Sequence, residues 1–313
     1  MSAPTRLRAA VVAAVVASLA LAATAARAQS PTAPLVLRLP VSARALAMGG
    51  AQPVAQDAEA LLFNPALLAW SRGASAQGQR YGAASTLGAL ASALPTLGGT
   101  TGLAVQYLDY GATSPALRAA ARDAAGALPV RGPVTASSLS AAVGYARPFM
   151  GLRLGAALRY AEERLGAERD GTATADVGVA KGFLFDNLVV GLAAQHLGEG
   201  LRLGGARAPL PTRVTLGMSG ANYPINPWLD MGAAASVSML RGGDVVAAGG
   251  VELALVPLQG YAIALRGGVR RTLEPGERAG TAGLGLTRDR VSLDYAFEPF
   301  AGRGAHRVGL RVR

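Results

Sequence analysis

Leu152-Arg153-Leu154-Gly155-Ala156-Ala157-Leu158-Arg159-Tyr160 decides how this chain folds. A β-strand sends successive side chains to opposite faces. Leu152, Leu154, Ala156, Leu158 and Tyr160 then share a purely apolar face, and Arg153, Gly155, Ala157 and Arg159 share the other. In a water-soluble sheet the apolar face is covered by a second layer. Here the alternation recurs towards the C-terminus with almost no helix-period segment to do the covering. The solvent left for so much apolar face is lipid. The pattern predicts an all-β fold, a closed antiparallel transmembrane barrel with a polar lumen.

Alternation places strands at about 75–81, 86–94, 101–110, 136–146, 151–165, 172–182, 187–197, 212–220, 228–240, 244–256, 260–271, 280–287, 289–298 and 305–313. That makes fourteen, an even number, as a closed single-chain bacterial barrel requires. Val214, Leu216 and Met218 oppose Arg213, Thr215 and Ser219; Leu229, Met231, Ala233, Ala235 and Val237 oppose Asp230, Gly232, Ser236 and Ser238. Tyr261, Ile263, Leu265 and Val269 oppose Ala262, Arg266 and Arg270; Val291, Leu293, Tyr295 and Phe297 oppose Ser292, Asp294 and Glu298. A one-residue slip would carry every lumen charge into lipid, at roughly 2–4 kcal/mol per arginine at the midplane. The register is strongly specified.

Composition agrees. Hydrophobic residues make up 51% of the 313 but aromatics only 5%, with 41 glycines. A soluble core of this size would use more large side chains, whereas a crowded barrel interior accommodates glycine and alanine. Cysteine is absent, which rules out disulfides and thiolate metal sites. Arg6 and Arg8, the apolar run Ala9–Ala22 and Ala26-Arg27-Ala28 read as a cleaved secretory signal over residues 1–28. No later segment reaches the roughly 18 apolar residues of a spanning helix, so any span is made of strands. The formal charge is +11, and 11 − 3 = +8 once Arg6, Arg8 and Arg27 leave with the signal. The remaining arginines are scattered along strands, which argues against a nucleic-acid partner. Outer-membrane lipid and lipopolysaccharide, anionic ligands and lumenal acids are the expected counter-charges.

Residues 29–72 read as a plug and 73–313 as the barrel around it. Gln29–Pro40 is an irregular lead; Met48-Gly49-Gly50 is a turn. Asp57 is placed to cap a short helix through Leu62, with Glu59 in its first turn. Asn64-Pro65-Ala66 restarts the chain, Asn capping and Pro at the first helical position. With the N-terminus periplasmic, the longest connections, Gly111–Thr135 and Gly198–Pro211, both fall outside. Arg147–Met150, Phe183–Asp186 and Pro257–Gln259 are then short periplasmic turns. Phe149, Phe183, Phe185, Tyr223 and Trp228 gather near those turns as an interface girdle would. Ser114–Leu128 spaces Leu117, Ala121, Ala124 and Leu128 at helical period and reads equally as a short helix or an alanine-rich loop.

No catalytic constellation stands out. His196 and His306, the only histidines, are far apart and read as polar wall groups. There is no Ser-His-Asp arrangement, metal-spaced cluster or phosphate loop, and the G-x-G pairs lie on strands. The expectation is a non-enzymatic protein without a cofactor. Asp109, Asp176, Asp230, Glu252, Asp294 and Glu298 are candidate inward carboxylates; Arg153, Arg159, Arg213, Arg266, Arg270, Arg307 and Arg311 are candidate inward cations. Two roles are open to them. Arginine–carboxylate ladders would brace the wall, or an excess of positive charge would draw in an anionic head group such as a fatty-acid carboxylate.

SARALAMGGAQPVAQDAEALLFNPALLA (Ser42–Ala69) resembles the N-terminal plug signature of the PorV/PorQ family, within the wider FadL-like outer-membrane barrels. AAVGYARPFMGLRLGAALRYAEERL, ADVGVAKG, GLAAQHLG, LPTRVTLGM and VSLDYAFEPFAGRGAHRVGLRVR follow in the family's order, over nearly all of the chain beyond the signal. The resemblance implies a fourteen-stranded barrel with a hatch containing Asn64-Pro65-Ala66. It also implies function. FadL-like relatives move long-chain fatty acids or other hydrophobic molecules; PorV-like relatives receive exported cargo for the type IX secretion machinery. The expected protein is a plugged outer-membrane barrel passing hydrophobic or anionic molecules. The alternatives are a secretion adaptor holding protein cargo and a mainly structural barrel. His196 departs from the family's frequent Asn, and Arg313 from its usual terminal aromatic.

Overall fold

The computed structural model describes residues 33–313 apart from 41, 52–56, 82–84, 112–135, 167, 204, 273–277 and 301–302. The expected signal and the helix-period run at 114–128 lie outside the described residues.

Fourteen strands close into one antiparallel barrel. They are β1 (Gly73–Tyr81), β2 (Ser85–Thr96), β3 (Gly99–Asp109), β4 (Ala136–Phe149), β5 (Leu152–Leu165), β6 (Glu168–Phe183), β7 (Leu188–Gly198), β10 (Arg213–Asn226), β11 (Leu229–Leu240), β12 (Val245–Leu258), β13 (Tyr261–Arg270), β14 (Gly280–Arg288), β15 (Val291–Phe300) and β16 (Arg303–Val312). The seam runs from Ala74↔Val312 to Tyr81↔Ala305, so no edge is left unpaired. β8 (Leu201–Leu203) and β9 (Ala206–Ala208) form a separate hairpin between β7 and β10. Strands of three residues are too short to show alternation, and sequence pattern missed them.

The faces follow the two-residue period. On β5, Leu154, Leu158 and Tyr160 point out and are exposed, while Ala157 and Arg159 point in and are buried. β15 and β16 repeat this: Leu293, Tyr295, Val308 and Leu310 outward; Asp294, Arg307 and Arg311 inward. Asp109 corrects an expectation. It shares the outward row of β3 with Leu103, Val105 and Tyr107, because the inward row is Ala104, Gln106 and Leu108. β10 also runs past its expected end at Gly220, through shifts in its pairing with β11 near Tyr223 and Asn226 that hide the period. The connections after β3 and β7 leave the same end of the barrel as the chain's other longer loops, and the opposite end carries only short turns.

The plug lies inside. It comprises a 3-10 turn Leu35–Leu37, a helix Ala43–Ala47, and 3-10 turns Ala58–Leu62 and Pro65–Trp70. Ser42 caps the helix by accepting from Ala45 N at 3.1 Å, a start signal absent from the expectations above. Asp57 corrects another expectation: it precedes the Ala58–Leu62 turn but makes no side-chain cap. Its carboxylate is taken by arginines of the wall. The plug threads the lumen from end to end. Ala33 N donates to Pro209 O (3.1 Å) at the long-connection end, and Trp70 Nε1 donates to Asp186 (2.9 Å) at the short-turn end.

Candidate functional site: the plug and the lumen wall

Glycines in the wall make room for the plug. A Cβ at Gly178 would sit 1.9 Å from Asn64 Oδ1, and one at Gly155 would sit 2.3 Å from Pro65 C. Asn64 is fully buried; its Nδ2 donates to Val179 O (3.4 Å) and Leu192 O (3.3 Å), and its Oδ1 accepts from Ala66 N (3.0 Å). Asn64-Pro65-Ala66 therefore docks on a glycine cradle across β5, β6 and β7. On the far side Met48-Gly49-Gly50 turns against β12 to β14, with Gly49 N donating to Thr281 Oγ1 at 3.0 Å. Gly49 has φ +74, and a Cβ there would meet the Val269 backbone at 2.5 Å, so only glycine fits.

Three acids and three arginines form a closed ring linking plug and wall. Arg44 Nη2 meets Glu252 Oε1 at 2.9 Å, and Arg44 Nη1 meets Asp57 Oδ2 at 3.7 Å. Arg311 Nη1 lies 2.6 Å from Asp57 Oδ1, an ion pair without hydrogen-bond alignment, and its Nη2 lies 2.7 Å from Asp294 Oδ2. Arg266 closes the ring on Asp294 (2.5 Å) and on Glu252. Charges alternate at every step. Arg313 adds a further bond to Asp57 at 2.7 Å. Burial on its own would raise the Asp57 pKa, but Arg311, Arg313 and Arg44 outweigh it and hold this carboxyl well below the usual carboxylate range. Its neighbour Glu59 is pushed up by burial and by the Asp57 charge. Gln77 Nε2 donates to Glu59 Oε1 at 2.7 Å.

A second polar cluster sits at a bulge in β7. Two residues there, Gln195 and His196, oppose Asp176 of β6, and His196 has φ +58. Both side chains are buried, and Asp176 holds the bulge by accepting from His196 N at 2.7 Å. Arg159 Nη2 donates to Asp176 Oδ2 (2.8 Å), and Arg213 Nε donates to Gln195 Oε1 (2.9 Å). Gln195 Nε2 reaches Leu62 O of the plug at 2.9 Å.

The remaining candidates are mostly spoken for. Arg270 pairs with Glu298, Arg307 Nη1 donates to Pro40 O at 2.6 Å, and Arg153 lies over the Trp70 ring at 5.0 Å. Asp230 is half-buried and makes no ion pair with another described residue. The ladder role thus accounts for Arg159, Arg266, Arg270 and Arg311. Arg44 belongs to the ring but escaped sequence reasoning. Arg44 stands alone among small apolar residues, and its partner Glu252 is 208 positions away.

The long-connection mouth is different in kind. Val36 and Leu37 are buried there with Leu87, Leu108, Ala161 and Leu210, and Leu35, Leu39, Tyr81 and Tyr110 pack around them. Glu163 ties the cluster down, accepting from Tyr110 Oη at 2.6 Å and from Leu35 N at 3.2 Å. Burial, and then the Glu163 charge, raise the Tyr110 phenol.

No protein-family model matches the chain, and no curated protein matches it in sequence. Solved structures do match in fold. The toluene transporter TodX of Pseudomonas putida superposes with a TM-score of 0.57 at 14% identity, covering 88% of this chain and 97% of that one. The toluene transporter TbuX of Ralstonia pickettii gives 0.53 at 13% identity, over 88% and 98%. The monoaromatic hydrocarbon channel CymD gives 0.51 at 10% identity, over 87% and 96%.

Proposed function

We propose that the protein is a non-enzymatic outer-membrane barrel that binds and passes hydrophobic small molecules, with the plug as its gate. The exposed Leu/Val/Tyr wall needs acyl chains around it, and the barrel rule assigns the longer connections to the outer face and the short turns to the periplasm. One observation carries the reading of the cargo. The outer mouth is lined by apolar side chains and filled by the chain's own Leu35-Val36-Leu37. A site that holds leucine and valine side chains suits an aliphatic or aromatic guest. Barrels of this fold include transporters of toluene and monoaromatic hydrocarbons, which is the same chemistry. A plugged, ion-paired lumen does not suit an open aqueous pore.

Uptake of a labelled fatty acid and of labelled toluene into proteoliposomes tests the proposal. The full chain is compared with a Val36→Asp, Leu37→Asp variant and with empty vesicles. Uptake by wild type above empty vesicles, lowered when the mouth is made acidic, is expected. Uptake equal to that of empty vesicles for both compounds removes the proposal.

A further inference from the structure

The outer mouth holds a stretch of peptide, and its wall is built to grip one. Six neighbouring strands, β16 and β1 to β5, contribute one inward tier in register: Arg307, Gln79, Leu87, Leu108, Ser138 and Glu163. All six are buried. The tier reads guanidinium, amide, two leucines, hydroxyl, carboxylate, with opposite charges at its ends and apolar surface between them. The chain's own Leu35–Pro40 lies across it. Leu35 N donates to Glu163 Oε2 at 3.2 Å, Val36 and Leu37 are buried with Leu87 and Leu108, and Pro40 O accepts from Arg307 Nη1 at 2.6 Å.

Both clamps are stronger than this resident needs. Arg307 is 1% exposed and gives one N–H to a neutral carbonyl, while its Nε and Nη2 are buried with no acceptor among the described residues. Those two donors form the guanidinium edge that meets a carboxylate with two parallel bonds. Gln79, its neighbour across the seam, has neither amide atom bonded within the described residues. At the far end the Glu163 carboxylate accepts a neutral backbone N–H, where a charged ammonium would bond more strongly. Leu35 and Pro40 thus stand where the first and last residues of a free peptide would present an ammonium and a carboxylate. A hydrocarbon in the segment's place leaves both ends of the tier unmatched, and a fatty acid leaves Glu163 Oε2 without its donor. Such buried groups are costly to leave unpaired.

We propose that the mouth is a binding site for short apolar oligopeptides with free ends, and that Leu35–Pro40 is their tethered stand-in. The incoming peptide sets its α-ammonium on Glu163 and its side chains against Leu87 and Leu108. Its α-carboxylate takes the Arg307 edge, with Gln79 at its last amide. The resident segment swings out to admit it and, being tethered, competes at an effective concentration of about millimolar order. The inference rests on the mouth as a guest site, given above, and names the guest.

The probe is the tritiated hexapeptide Leu-Val-Leu-Arg-Leu-Pro, a copy of residues 35–40. Its binding to the full chain in detergent is measured by equilibrium dialysis, with the ends free, acetylated, amidated or both. A Val36→Ser, Leu37→Ser variant, whose own segment grips the mouth less, should bind the free peptide about tenfold more tightly than wild type. Capping either end should weaken binding to this variant about tenfold, the worth of one charge-assisted bond. Adding Arg307→Gln should erase the effect of amidation alone, and adding Glu163→Gln that of acetylation alone. Equal binding of the free and doubly capped peptides overturns the proposal, and that comparison needs neither wall variant to fold. Equal affinity for wild type and the serine variant also overturns it, since the peptide then binds elsewhere. If the serine variant takes up labelled toluene or fatty acid but no peptide, this inference alone fails. If it binds none of the three, the mouth as a guest site fails with it.

Discussion

Asp57 shows how much one side chain does here. It takes Arg44, Arg311 and Arg313 at once while 6% exposed, so its removal takes a counter-charge from three cations, of which Arg44 and Arg311 keep Glu252 and Asp294. Asp57→Asn should destabilise the docked plug by about 3–5 kcal/mol, the range for breaking a buried pair from one side. Proteolysis of the plug in detergent-solubilised protein would report it. A carboxyl held below its ordinary value stabilises at every pH above that ordinary value, about 3.9. The stabilisation fades as the pH falls through the depressed one. The share of the plug's protease resistance that Asp57 supplies should therefore be flat through neutral pH and drop only below about pH 4. Glu59, pushed upward, acts in the opposite sense and weakens docking as the pH rises through its raised value. Gly178→Ala tests the cradle. Its new methyl would meet Asn64 Oδ1 at 1.9 Å, and overpacking of this kind costs about 1–3 kcal/mol. Faster cleavage of the plug at an unchanged barrel melting temperature is expected.

Among the elements, the strands were the most legible part of the sequence, because a two-residue period survives any local irregularity outside the strand. The β7 bulge was not. Nothing in Gln195-His196 announces that both side chains turn inward, since the cause is Asp176 on the neighbouring strand. The bulge also sets the backbone that His196 must adopt. A φ of +58 is one that Asn and His tolerate better than most residues. His196→Asn should keep the melting temperature within a degree or two, about 0.5 kcal/mol, whereas the β-branched His196→Val should lose about 1–3 kcal/mol. Thermal unfolding in detergent separates the two. Asp176→Asn should be the more damaging change, about 3 kcal/mol, because Arg159 is left buried beside a neutral amide.

For the whole molecule, closure and plugging were legible and the plug–wall wiring was not. Strand count, loop lengths and the Asn64-Pro65-Ala66 cap come from local pattern. The charge ring joins residues 44, 57, 252, 266, 294 and 311, and no local pattern relates positions so far apart. A cylinder without an edge should migrate as a compact, fast band on cold detergent gels and as a slower one after boiling. Arg44→Gln combined with Asp57→Asn should leave that shift intact while freeing the plug, since neither residue is part of the wall. Loss of the shift would mean that the plug holds the barrel shut.

The ring has a consequence for assembly. Its plug members, Arg44 and Asp57, are made first, and Arg311 is made only with β16, the strand that seals to β1. Until that final strand arrives, Asp57 faces an open seam with two of its three counter-ions missing. A truncated or stalled chain thus carries an uncompensated anion where its cylinder should zip, and only a complete polypeptide can settle into the hydrocarbon with its interior neutralised.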